Sequence, residues 1–377
     1  MTSTAQITIR EVVGKADEKE FLQMPHRIYA GYDAWVAPLD MEAKKIFDKK
    51  YPFRSHSKMK FFLASQNGIV VGRIAAIIDS DFIEKWKQRI GHFGFFECIN
   101  DSNVAKLLFQ TAEKFLIEER IELVHGPMNP STNYTCGILM NAYELSPYLD
   151  MTYNPPYYIT LLEELGFRKN LDLNAYFYTP ELKMQERLRS LGNYISQKNN
   201  ITIRPVNMKK FSSELEIMRG IYNDAWDDNF GFVPVSKNEF NFICGQMKSV
   251  AIPDMVLFAF INDEPAGFIA ALPDYNVFMK EMKGKMTLKG AYNFLFNRKK
   301  IKATRVITFG VKKVFRKKGL DIALLNQLMI NWTTLKFEEA ELSWILEDNV
   351  QMIREIEKFG ASHYKTYRIY GKSLQVN

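Results

Sequence analysis

Ile201-Thr202-Ile203-Arg204-Pro205-Val206 repeats, 194 residues on, the stretch Ile7-Thr8-Ile9-Arg10-Glu11-Val12. Working outward, further matches keep the same order and nearly the same spacing. Ile28-Tyr29 returns as Ile221-Tyr222. Ala64, Asn67, Gly72, Ile74-Ala75-Ala76 and Asp79 return as Ala259, Asn262, Gly267, Ile269-Ala270-Ala271 and Asp274, all at an offset of 195. Glu163 and Gly166 return as Glu357 and Gly360. One ordered series over most of 377 residues reads as a duplication. The period is too long for a solenoid, whose units run about 20–50 residues. The length itself suits two domains. We therefore expect a first domain over 1–180, a helical linker over 181–198 and a second domain over 199–377.

The second half gives its elements more clearly. Ile201–Val206 alternates like an edge strand, and a helical stretch covers Ser212–Ala225. Met255–Ile261 and Ala266–Leu272 flank the turn residues Asn262-Asp263-Glu264, which predicts a hairpin. Thr304–Val311 is a strand rich in β-formers. Arg316–Gly319 is a basic glycine turn, and Leu320–Trp332 carries apolar residues at helical spacing. Ala340–Leu346 is a strand, Val350–Phe359 a helix ended by Gly360, and His363–Tyr370 a last strand. The first half repeats the order with strands over Ile7–Val12, Phe61–Ser65, Val70–Ile78, His92–Phe96 and Ile121–His125. Its helices fall over Asn103–Glu118 and Tyr157–Leu165. The expected fold is α/β (mixed α+β): two tandem domains, each a mixed, mostly antiparallel sheet flanked by helices.

The composition is 47% hydrophobic and 25% charged, which excludes disorder, collagen and a disulfide scaffold. No apolar run approaches the roughly 20 residues that cross a bilayer, and the N-terminus lacks a signal peptide. Three cysteines without zinc or redox spacing suit a reducing cytoplasm. The five histidines are scattered, so no metal site is expected. Nearly all of the net charge of +7 lies between Lys280 and Lys302, where eight basic residues face only Glu281. This basic insertion, about 275–303, lengthens the second half relative to the first. It has three functional readings: an amphipathic lid over a substrate cleft, a peripheral contact with an anionic membrane without stable insertion, or a solvated flap. Nucleic acid is not expected, for want of stacking aromatics or a recognition fold.

The strand Phe309-Gly310-Val311, the turn Arg316-Lys317-Lys318-Gly319-Leu320-Asp321 and the helix ending Glu357-Lys358-Phe359-Gly360 resemble the GNAT superfamily of acyl-CoA-dependent N-acetyltransferases. Arg316 and Gly319 match its (Gln or Arg)-x-x-Gly-x-(Gly or Ala) pattern, and Asp321 departs from it. The first half lacks the glycine turn and carries Glu97-Cys98-Ile99-Asn100-Asp101 in its place. The chain is similar to a little-characterised bacterial group with two GNAT-like halves. Gly126-Pro127-Met128-Asn129-Pro130-Ser131 and Tyr153-Asn154-Pro155-Pro156-Tyr157-Tyr158 belong to that group's pattern.

The resemblance implies an acyl-CoA-dependent N-acyltransferase, transferring an acetyl or other acyl group to a small-molecule amine. Its alternative is a non-catalytic acyl-CoA or small-molecule binding protein. A coenzyme A diphosphate needs N–H groups converging at a helix N-terminus. The candidates are Arg316, Lys317, Lys318, Gly319, Leu320 and Asp321, with Asn349 nearby. Asp321 reads equally as a helix cap. The Val311 N–H is the candidate for polarising the thioester carbonyl. Glu347 is the candidate base. The family's proton-donating Tyr falls on Ile356 here and on Leu162 in the first half, neither of which donates. Candidate substrate contacts are Asn129, Ser131, Asn133, Asn154 and Tyr157 in the first half. Asp227 and Asn229 are candidates for holding a cationic amine in the second. Cys136 reads as a small buried thiol.

Overall fold

A computed structural model describes residues Gln6–Gln375. The chain divides into two compact units, and neither is one continuous stretch. The first gathers the chain up to Leu173, the segment Phe278–Gly290 and the residues from Lys365 onward. The second holds Asn174–Val277 and Ala291–Tyr364. A single cut near residue 180 therefore does not reproduce this division, because the chain's last strand belongs to the first unit from Lys365 on.

In the first unit the elements are β1 (Ile7–Glu11), α1 (Lys15–Ile28), α2 (Asp40–Ala43), β2 (Ser57–Gln66), β3 (Ile69–Asp79), α3 (Ser80–Trp86), β4 (Ile90–Cys98), α4 (Ser102–Glu118) and β5 (Leu123–Gly126). Short strands β6 (Met128–Asn129), β7 (Thr135–Cys136) and β8 (Ile138–Leu139) follow, then α5 (Tyr158–Glu164) and the start of β9 (Arg168–Tyr178). β1 to β4 form an antiparallel meander, and β4 pairs with β5 in parallel over Ile90–His92. β5 then pairs antiparallel with Tyr370–Ser373 of β15 (Ser362–Ser373). α4 covers this sheet. Its Val104, Ala105, Leu108, Phe109, Ala112, Phe115 and Leu116 recur at helical spacing and are all buried. Asp101 starts the helix by accepting from the N–H groups of Asn103 and Val104. Gly72 is bare because a Cβ there would meet Leu108 at 2.8 Å.

The second unit contains α6 (Leu182–Lys198), β10 (Ile201–Pro205), α7 (Phe211–Trp226), α8 (Lys237–Met247), β11 (Val256–Ile261) and β12 (Glu264–Pro273). The insertion, whose stretch Phe278–Gly290 is counted with the first unit, folds into α9 (Asn276–Met282) and α10 (Leu288–Phe296). β13 (Ala303–Val311), α11 (Leu320–Thr334), β14 (Glu339–Leu346) and α12 (Val350–Lys358) complete it. β10 to β13 form an antiparallel meander, and β13 pairs with β14 in parallel. The expected 181–198 linker is helix α6, counted within this unit and packed along α11.

The repeat shows in the register of the strands. Ile9 sits opposite Ala64 as Ile203 sits opposite Ala259, and Ala64 faces Gly72 as Ala259 faces Gly267. The matched residues therefore occupy the same places in two meanders. Each unit has the mixed, mostly antiparallel sheet with flanking helices that was expected.

Candidate active site

β13 and β14 run side by side only from Ala303–Val306 and Glu339–Leu342. Beyond Val306, β13 carries an extra residue: Ala271 opposes Val306 while Ala270 opposes Thr308, so Ile307 bulges. Among the described residues, β13 pairs beyond this point with β12 alone. The Lys312 N–H donates to the Ala266 carbonyl at 2.9 Å. Strand alternation then turns the N–H groups of Val311 and Phe309 to the opposite edge, where β14 has parted.

The first unit supplies an internal comparison. Gly72 sits opposite Cys98 as Gly267 sits opposite Val311, and the Ile99 N–H donates to Val71 as the Lys312 N–H donates to Ala266. Cys98 is therefore the counterpart of Val311, and its N–H donates to the Tyr158 hydroxyl at 2.8 Å. β6 inserts beside β4, and the Asn129 side-chain oxygen accepts from the Phe95 N–H at 2.6 Å. A Cβ on Gly94 would fall on the Met128 carbonyl oxygen. The strand-edge donor of the first unit is thus sealed by its own chain.

Other first-unit candidates are likewise tied to their own backbone. Asn154 is buried; its side-chain oxygen accepts from the Leu139 N–H (2.6 Å) and its amide donates to the Leu139 and Pro155 carbonyls. Tyr157 donates to the Cys98 carbonyl at 2.7 Å, and the Ser131 hydroxyl accepts from the Asn133 N–H at 3.3 Å. Asn133 lies half-buried in that loop. Cys136 is buried, as a structural thiol would be.

In the second unit the basic turn bends through two left-handed residues, Lys317 (φ 64°) and Gly319 (φ 75°). Gly319 starts α11, and Leu320 is buried beneath it. A Cβ on Gly319 would lie 2.6 Å from Ile195 Cγ2 of α6. The missing side chain therefore makes room for a helix of the same unit. Lys317 and Lys318 remain exposed. Arg316 donates to the Ala225 carbonyl (2.8 Å) near the end of α7. Asp321 accepts from the Ile322 N–H at 2.9 Å and pushes the carboxyl of Glu355 upward, a shift for which burial is the larger cause. Asn349 caps α12, accepting from the Met352 N–H at 3.2 Å.

Asp227 does hold a cation, but an internal one. The Lys313 ammonium donates to Asp227 (3.1 Å) and Asp228 (2.8 Å), which raise its pKa. Asn229 closes the end of this helix, its N–H donating to the Trp226 carbonyl. A Cβ on Gly310 would strike the Trp226 ring, which lies against β13. Glu347 is half-buried just past β14. Because β13 and β14 are parallel, Glu347 stands at the same end of the pair as Val311.

Ile356, at the position of the family's Tyr, lines an apolar pocket of α11, α12, β13 and β14. Val306 and Leu342, the last paired residues, lie in its wall with Leu325, Met329 and Trp332. The enclosed space is about 60 Å³.

Two buried polar groups had no signal in sequence periodicity. In the second unit Glu341 accepts from Ser343 (2.6 Å) and from Tyr364, with Arg305 3.7 Å away. In the first, Tyr29 and Tyr158 each donate to Glu97 at 2.8 Å, beside Arg73. Burial pushes Glu97 up and both tyrosines well above the usual phenol range. A carboxylate inside an otherwise apolar strand was the available clue in both. His56, Asp79 and Asp81 also cluster. Asp79 there already caps α3, accepting from the Asp81 and Phe82 N–H groups.

A parted parallel pair beside a bulge, followed by a basic turn into a helix, is the GNAT architecture, here present as a tandem. A tandem GNAT protein from the clavulanic acid biosynthesis pathway matches it with a TM-score of 0.57 at 8% identity, covering 98% of this chain and 99% of its own. In sequence the chain is 32% identical to protein YghO of Escherichia coli, over 97% of this chain and 95% of that protein. It is also 32% identical to the bacterial ceramide synthase of Caulobacter vibrioides, over 99% of each. The chain belongs to the family of these two proteins. No family model matches it. Among the described residues, no helix is long and apolar enough to cross a membrane.

Proposed function

We propose that this protein is an acyl-CoA-dependent N-acyltransferase working in its second unit, with a long-chain acyl donor and a lipid amine as acceptor. The observation that carries the reading is the contrast between Cys98 and Val311. The same strand-edge N–H is taken by the Tyr158 hydroxyl in one unit and turned to a parted edge in the other. Bound acyl-CoA supplies an activated thioester carbonyl. Val311 donates its N–H to that oxygen, as an oxyanion-type donor does. The exposed Lys317 and Lys318, on a turn made concave by its left-handed residues, hold the diphosphate. Glu347 takes the proton from the incoming amine as it attacks the carbonyl, the C–S bond breaks, and the coenzyme A thiolate leaves and is protonated by solvent.

A donor longer than acetyl is supported by the pocket beside the parting, whose wall is almost wholly apolar and takes Ile356 where the family has Tyr. The ceramide synthase name of one relative supports the same substrate class, since a ceramide is an N-acylated long-chain amino alcohol. An acetyl donor would leave this pocket unfilled.

Calorimetry with acetyl-, octanoyl- and palmitoyl-CoA tests donor binding, and acylation of a sphingoid base tests turnover. Val311→Pro deletes an N–H on the open edge without touching the ladder to β12. Turnover should fall about 100-fold or more in the folded variant. Leu342→Trp, which fills the pocket, should weaken palmitoyl-CoA at least about tenfold while sparing acetyl-CoA. Unchanged turnover in a folded Val311→Pro protein, or equal affinity for all three donors, refutes the assignment.

A further inference from the structure

Helix α10 exposes a face that its own sequence makes apolar. Leu288, Tyr292, Leu295 and Phe296 are 94%, 57%, 63% and 69% exposed. Their spacing of four, seven and eight residues puts them in one sector of about 100°. The opposite side is anchored. A Cβ on Gly290 would run into Met282, and the Phe294 ring stacks on Tyr275 at 4.8 Å between centroids. The helix is therefore held by one face and presents Leu, Tyr, Leu and Phe outward. A monomer in water has no reason to display four such residues together.

The flanks are basic. Lys289 stands beside the apolar sector, and Arg298, Lys299 and Lys300 follow the helix at once. Lys299 and Lys300 are exposed. Lys280, Lys283 and Lys285 precede it in sequence, and Glu281 is the single acid of the segment.

We propose that α10 and the basic turn after it seat on an anionic lipid bilayer. Leu288, Leu295 and Phe296 enter the headgroup–acyl boundary, Tyr292 lies at the headgroup level, and the lysines contact acidic headgroups. Charge complementarity selects this occupant. A nine-residue helix with a strongly basic flank suits an interfacial helix, and it is too short to span. This goes beyond the acyltransferase reading and does not depend on it, since vesicle binding is measured without turnover.

The test is flotation of the full-length protein with phosphatidylcholine vesicles, with and without phosphatidylglycerol. Binding should require the anionic lipid and weaken as salt rises. Lys299→Glu with Lys300→Glu should lower the partition coefficient by about tenfold or more. Leu295→Glu with Phe296→Glu, on an exposed face, should abolish it with the circular dichroism unchanged. Equal binding to neutral vesicles, or indifference to both pairs of substitutions, overturns the proposal. So does a shift from dimer to monomer in the Leu295→Glu/Phe296→Glu protein with vesicle binding retained, because the face would then join two copies.

Discussion

Replacing Gly319 with alanine isolates what the turn before α11 demands. At φ 75° an L-residue costs about 1–2 kcal/mol. The added carbon would sit 2.6 Å from Ile195 Cγ2 and 3.2 Å from its Cδ1, inside ordinary contact distance. Such overpacking costs about 1–3 kcal/mol more. Alanine also stiffens the unfolded chain, returning about 0.4–1 kcal/mol. The net loss should therefore be roughly 1–4.5 kcal/mol. Ile195→Ala removes the overlap and leaves the φ strain. In a double-mutant cycle followed by urea denaturation, the pair should be more stable than the sum of the single effects by about 1–3 kcal/mol. If the two substitutions add within about 0.5 kcal/mol, Ile195 does not lie on the turn and the account of Gly319 is wrong.

Three further outcomes follow from the first unit. His92 and His125 face each other across β4 and β5, and burial pushes each down to about 4, with their mutual repulsion adding to the effect on His92. Unfolded histidines take protons near 6.5. The unfolded state then binds more protons between about pH 6.5 and 4, so this stability is whole above 6.5 and is lost as pH falls. Denaturation midpoints across that range should drop less steeply in His92→Gln than in the parent; an unchanged slope removes His92 from the account. Asn129→Leu leaves the Phe95 N–H without its acceptor and should cost about 1–3 kcal/mol by urea denaturation. A loss below about 0.5 kcal/mol would mean β6 does not seal that edge. Arg368 grips Asp172 through two hydrogen bonds of 2.7 and 3.0 Å, holding its carboxyl below the usual range. Arg368→Met should weaken the fold at neutral pH and lose that effect as Asp172 is protonated below about pH 4, read as convergence of the two unfolding curves.

Much of the fold was legible because the repeated residues do repeated work. Ala64 with Gly72, and Ala259 with Gly267, hold equivalent cross-strand positions, so the same small residues recur. Helix α11 was readable from Leu320 onward by its apolar spacing. Helix α1 was missed: it carries Pro25 inside it, a residue that argues against a helix interior. α10 was hidden because apolar residues fall on both its anchored and its exposed faces, leaving no polar face to mark a helix period.

The site was less legible for a different reason. Val311 and the turn were candidates chiefly through the family resemblance. The oxygen that satisfies Phe95 comes from Asn129, and the side chain that covers Gly319 comes from Ile195, 124 residues earlier. Neither contact leaves a mark in the residues beside it. Asp227 read as a holder of a cationic amine, and in the structure it accepts from Lys313. That the cation is Lys313 depends on how α7 meets the end of β13.

The pairing of β5 with Tyr370–Ser373 also sets an order of events during synthesis. The first unit cannot close its sheet when its own half has left the ribosome. It waits, with the edge of β5 bare, until Ser373 emerges. A nascent chain in that interval offers the edge of β5 to any neighbour.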